Sequence, residues 1–185
     1  MRKIQRSDLI SNEAYAAERA RRRAAILEAK RDRRVSVGYL VSVVFENRDS
    51  MIYQIQEMCR AERITAEEKI AEEIETYNDL VPDAGELRAT LLIEVTEAEA
   101  MDRELRRLVG IEHHVKMVND GAIVRAVPLE PRERTDRTSA VHFLRFPVGR
   151  LGRDVRLEID HPEYAAATPL SPKTIESLCA DLREE

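Results

Sequence analysis

The chain has 185 residues, 43% of them hydrophobic and 35% charged, with three Phe, five Tyr and no Trp. That length fits one domain, and the apolar fraction is enough for a buried core, which excludes disorder as the main state. No run of about 18 apolar residues exists, the longest candidate, Val35 to Phe45, being broken by Ser36, Gly38 and Ser42, so a membrane span is excluded. The net charge of -5 is split, with +6 over Met1–Arg34 and -6 over Glu46–Asp79. The N-terminus meets no apolar stretch of the secretory kind, so the expected location is the cytoplasm.

From Glu13 to Arg33 the sequence is dense in Ala, Arg and Glu, strong helix formers, with Ser11 or Asn12 as N-cap. This Arg-rich helix is expected to form a basic N-terminal arm, residues 1–33, that docks on the acidic Glu46–Asp79 region of the same or a second subunit; residues 34–185 are expected to form the core. Arg34 to Glu46 alternates Val35, Val37, Tyr39, Val41, Val43, Phe45 against small residues, the pattern of one long strand with a helix packed flat on it. Met51, Ile52, Ile55, Met58 and Cys59 recur at helical spacing, and Thr65-x-x-Glu68 matches a capping box opening a second helix. A strand over Leu87–Val95 follows, then a helix from a capping box at Thr96-x-x-Glu99 to Gly110.

Asp120-Gly121 between two alternating runs predicts a two-residue hairpin with Val118 opposite Ile123, Lys116 opposite Arg125 and His114 opposite Val127. Pro128–Arg137 is charged and aperiodic and is read as a mobile loop. Thr138–Val148 and Val155–His161 resume as strands, and Ser171-Pro172 starts a last helix with Ile175, Leu178 and Leu182 inward. The order predicts a single α+β domain, a largely antiparallel sheet of about six strands with helices packed on one side.

Chemical signatures are sparse. All four histidines, His113, His114, His142 and His161, fall on predicted strands, which excludes a di-iron carboxylate site built from helical Glu-x-x-His, and no metal or cofactor is expected. Gly149–Asp154 has glycines and arginines but neither the Lys-Ser/Thr of a P-loop nor a following helix, so it reads as a turn. Cys59 and Cys179 have no zinc or redox spacing and read as buried free thiols. The acidic remainder, the scarcity of aromatics and Glu18, Glu28 and Asp32 within the basic helix argue against nucleic acid. The most concentrated polar group is the corner Glu46-Asn47-Arg48 with Gln56, Glu57, Arg60 and Arg63 on the exposed face of the helix after it.

Phe45-Glu46-Asn47-Arg48, Gln54-Ile55-Gln56-Glu57-Met58 with Arg60 and Glu62-Arg63, Tyr77-Asn78 with Pro82, and Val141-His142-Phe143-Leu144-Arg145-Phe146 resemble a bacterial family known only as domain of unknown function number 3501. The resemblance runs over nearly the whole chain. It implies a setting beside a rubrerythrin-like protein and an iron–sulfur oxidoreductase, hence a role in redox or oxidative-stress metabolism, and it carries no catalytic residues. Two functions follow. One is an accessory or interaction protein, a homodimer serving redox partners that hold the cofactors. The other is a small-molecule or metal-binding enzyme with Glu46, Asn47, Arg48, Gln56, Glu57, Arg60, His142 and Arg145 around one pocket, Glu57 or His142 moving the proton and the arginines holding an anion. Convergence of those side chains is the discriminating observation.

Overall fold

The structure, a computed structural model, describes residues 1–129 and 136–183. Among the described residues, five α-helices and nine strands follow one another: α1 (Asn12–Arg31), β1 (Arg34–Val37), β2 (Val41–Glu46), α2 (Arg48–Ala61), α3 (Glu67–Asn78), β3 (Leu87–Ile93), α4 (Ala98–Arg107), β4 (Val115–Asn119), β5 (Ala122–Arg125), β6 (Val127–Pro128), β7 (Val141–Phe146), β8 (Val155–His161), β9 (Tyr164–Pro169) and α5 (Pro172–Arg183). The α+β class with antiparallel pairing is as the alternation predicts. The strands divide into two sheets, ordered β1-β2-β3-β7-β6 and β5-β4-β8-β9.

The sheets bury one face each against the other. Val43, Phe45, Ala89, Leu91, Leu144 and Phe146 from the first meet Val115, Met117, Leu157, Ile159 and Tyr164 from the second, and α4 and α5 add Leu105 and Leu178. This division explains the alternation read from the sequence, because each strand turns one side to the shared core and the other outward. A second apolar cluster forms where Ile4 and Leu9 of the N-terminal segment close over Met51, Ile55 and Cys59 of α2 and Ile70 of α3. The segment is tied down by backbone bonds as well. Asn78 accepts from the Ile4 amide at 2.7 Å and donates to its carbonyl at 3.0 Å.

Several local expectations change. Arg34–Glu46 is a tight hairpin, with Val37 paired to Val41, instead of one long strand. Gly38, at φ +76°, supplies the left-handed turn, and a Cβ there would fall 2.5 Å from the Tyr164 hydroxyl. That hydroxyl donates to the Val37 carbonyl at 2.6 Å and accepts from the Leu40 amide at 3.1 Å, so the group approaching the small residues is a tyrosine from β9. The capping boxes at Thr65 and Thr96 do not form; the N-caps are Ala66 and Glu97, with no side-chain cap bond. Ser11 and Ser171 do cap, accepting from Ala14 and Thr174. The Asp120-Gly121 hairpin has the predicted pairs Val118 with Ile123 and Lys116 with Arg125. It parts after Ala126, whose amide still donates to the Val115 carbonyl at 2.9 Å; Val127 then pairs with Arg145 of the other sheet, so the expected His114–Val127 pair does not form, and His113 and His114 lie in and at the end of a 3-10 turn before β4 begins. Most of the Pro128–Arg137 loop, residues 130–135, lies outside the described residues.

α1 lies along α2. Arg19 makes two 2.8 Å bonds to Glu57, and Lys30 stands 3.2 Å from Glu46. The basic helix thus meets its acidic complement within one chain.

Candidate functional site

Glu46 ends β2 with its side chain on the outward face of the first sheet, yet it is only 5% exposed. A buried carboxylate is costly unless donors surround it. Three do: Ser50 at the start of α2 donates to Oε2 at 2.7 Å, Thr90 of β3 donates to Oε1 at 3.1 Å, and the Lys30 ammonium supplies the opposite charge. Across the sheet the same row continues through Arg88 to Arg145. Arg88 lies 2.6 Å from Glu86 and 3.3 Å from Asp83, and Arg145 reaches Glu86 at 3.4 Å. The two arginines of the row are thus neutralised by Glu86 and Asp83, which precede β3, and Glu46 by Lys30.

The other predicted residues go elsewhere. Asn47 is the N-cap of α2, accepting from the Ser50 amide, and its Nδ2 donates to Asp181 of α5 at 3.3 Å. Asp181 is also gripped by two 2.9 Å bonds from Arg33. Arg48 faces the N-terminal segment, 2.5 Å from Asp8, whose carboxyl it holds well below the ordinary carboxylate range. Gln56 is buried against the same segment, accepting from the Ile10 amide at 2.8 Å and donating to the Ile10 carbonyl at 3.3 Å. Glu57 accepts from Arg19, from the Tyr15 hydroxyl at 2.8 Å and from Arg60 at 3.5 Å. The Arg19 bond, with help from Tyr15, lowers its carboxyl to about 2. Burial and that carboxylate push the Tyr15 phenol up.

His142 turns to the opposite face of the sheet, beside Leu91. Its Nε2 lies 2.8 Å from the Ser139 carbonyl and 3.0 Å from the Thr138 hydroxyl, and its Nδ1 lies 3.7 Å from Glu112. The eight residues therefore fall in separate places: the outward face of the first sheet, the joint with α5, the α2 contact with α1 and the N-terminal segment, and the inward face. Lys30, Thr90, Arg88, Asp181 and Glu112 complete these places and were not singled out in the sequence. Arg88 and Thr90 had a readable signal, two polar side chains on one side of an otherwise apolar strand.

What the outward face does offer is a groove of about 430 Å³ between α1 and α3. Val44, Leu92, Val141 and Phe143 form its floor, with Glu46 and Thr90 at one end. Val141 is 42% exposed and Leu27, on the α1 wall, 49% exposed. Lys30, Arg31 and Arg34 make one wall basic. On the far side the groove opens past Tyr77 and Leu80 into a hollow edged by Glu72, Glu75 and Asp79, with Phe143 common to both.

The Gly149–Asp154 stretch serves the hairpin. Asp120 accepts from the amides of Arg153 and Asp154, and Asn119 from that of Gly152, where a Cβ would strike the Asp120 carboxylate. Both cysteines are free; Cys59 is buried, and burial raises its thiol, whereas Cys179, on α5, is only half-buried, against the expectation of two buried thiols. Among the described residues, no group of three or more His, Cys, Asp or Glu is placed to hold a metal ion, and no helix is long and apolar enough to cross a membrane.

No curated protein matches the chain. A solved structure from Burkholderia pseudomallei, described as a novel protein of unknown function, is 37% identical, with a TM-score of 0.88, and the match covers 98% of this chain and 100% of that one. The profile of a family described as "Protein of unknown function (DUF3501)" matches residues 3–182. With nearly its whole length inside that match, the chain belongs to the DUF3501 family.

Proposed function

We propose that the protein is a non-catalytic accessory that acts by binding, as a homodimer in the cytoplasm, and that it serves a redox or oxidative-stress system whose cofactors sit in rubrerythrin-like and iron–sulfur partners. The observation that carries this reading is the half-covered outward face of the first sheet. An apolar floor with Val141 42% exposed, between a basic and an acidic wall, suits the apolar stripe of a partner helix whose two edges carry opposite charge. A rubrerythrin-like partner, being a ferritin-like bundle, presents helices on its surface. The partner class itself rests on the family resemblance.

The enzyme reading has less support. It needs a shared pocket for Glu46, Arg48, Glu57, Arg60, His142 and Arg145, and these side chains are spent on separate ion pairs. Direct titration of the purified protein with the purified rubrerythrin-like and iron–sulfur proteins of the source genome tests the proposal. Binding to one of them, weakened at least tenfold by Val141→Glu and unaffected by Ile123→Ser on the remote β5 edge, is the expected result. Failure of both partners to bind, or equal binding by Val141→Glu, removes it. Sedimentation velocity of the free protein decides the homodimer.

A further inference from the structure

A groove that docks a partner helix must also choose among helices, and one side chain on its wall is placed to do so. Gln54, one turn after the buried Met51 on α2, lines the groove together with Leu80, Val141 and Phe143. The charged groups around it are already committed. Lys30 is paired with Glu46, Arg31 with Glu28 at 2.8 Å and Arg34 with Glu94, while the Thr90 hydroxyl donates to Glu46. The Tyr77 phenol is raised by burial and then by Glu73 and Glu62, and neither carboxylate lines the groove.

The Gln54 carboxamide differs from all of these. Among the described residues it has no hydrogen-bond partner, and it is half-buried with its polar atoms still open to water. Water satisfies it while the groove is empty. A helix laid over the floor strips that water from two N–H donors and a carbonyl acceptor at once, and a purely apolar stripe returns nothing for them. A charged side chain at the same point would itself have to be desolvated, beside a Glu46–Lys30 pair that is already neutral. A second carboxamide offers an acceptor and donors together, so a single contact satisfies both groups. A lone buried Asn fixes the register of a coiled coil in the same way, by penalising every alignment that leaves it unmatched.

We propose that Gln54 sets the specificity and register of the groove: the partner helix carries one carboxamide, Asn or Gln, within its apolar stripe, at the position that meets Gln54. This role rests on the docking function proposed above and adds to it a chemical requirement on the partner.

Helical peptides of about 20 residues serve as probes, with a Leu stripe, Glu along one edge and Lys along the other. The reference stripe is all Leu, and the other peptides carry a single Asn at each stripe position in turn. Each is titrated into the full-length native protein and into Gln54→Leu, followed by fluorescence anisotropy. One Asn position is expected to bind the native protein at least about fivefold tighter than the all-Leu peptide, and Gln54→Leu to reverse that order. Equal affinities, a native preference for the all-Leu peptide, or an Asn preference that survives Gln54→Leu overturns the role of Gln54 and leaves the docking function standing. Binding by no peptide also overturns it, and the partner titration with Val141→Glu then decides separately whether the docking function falls. Should Gln54→Leu fail to fold, Gln54→Met, which keeps an unbranched side chain, takes its place with the same reversal expected.

Discussion

The Glu57 carboxylate shows how one side chain fixes the placing of a whole helix. Arg19 grips both of its oxygens, Tyr15 donates to one of them, and Arg60 approaches from the next turn of α2. Its folded pKa of about 2 lies below its ordinary value of 4.5, so the charged form favours the folded state. The resulting stability is fully present above about pH 4.5 and is lost as the pH falls towards 2. Asp8, held low chiefly by Arg48, acts in the same direction. Urea unfolding between pH 6 and 2.5 should therefore show a steeper acid loss in the native sequence than in Glu57→Gln. The difference is on the order of 2 kcal/mol, below the full value of the shift because Arg19 is partly solvated. Parallel curves for the two proteins would show that the pair does not carry this linkage.

At the scale of elements, the N-terminal segment behaves as part of the fold. Ile4 is 2% exposed and belongs to the cluster of Met51, Ile55 and Ile70, while its backbone is held by Asn78 on both sides. Ile4→Ala should cost about 2 to 4 kcal/mol, the range for an apolar side chain truncated in a packed site, measured as a shift in the urea midpoint. A change below about 0.5 kcal/mol would mean that the segment contributes no packing. The sequence held part of this. Periodicity in α2, α4 and α5 and the Asp120-Gly121 turn are local signals, and those elements stand where the pattern puts them. The β1–β2 turn was hidden because Gly38 continues an alternating run and its positive φ is demanded by a tyrosine 126 residues later. β9, Tyr164–Pro169, was missed because three consecutive alanines have weak strand preference. The approach of Glu112 to His142 and the Glu46–Arg88–Arg145 row depend on which strands become neighbours, which no short window encodes.

At the scale of the molecule, chain order and sheet order disagree. β3 pairs with β7, and between them in sequence lie α4, the β4–β5 hairpin of the other sheet and the short β6. Long-range pairing of this kind is slow to form, because loop closure precedes the contacts that reward it. Pulse-labelled hydrogen exchange during refolding should find amides of α2 and of the β4–β5 hairpin protected before those of the β3–β7 ladder; simultaneous protection would indicate that the two sheets form in one step.

The Asp181 node extends this beyond the test tube. Its carboxylate, 2% exposed, receives Arg33 and Asn47 from a point 148 and 134 residues earlier, where α1, β1, β2 and α2 meet. During synthesis Arg33 and Asn47 emerge long before their acidic keystone, Asp181. The nascent chain must wait with the joint open, and the interval before α5 emerges is when chaperones or proteases have their best access to it.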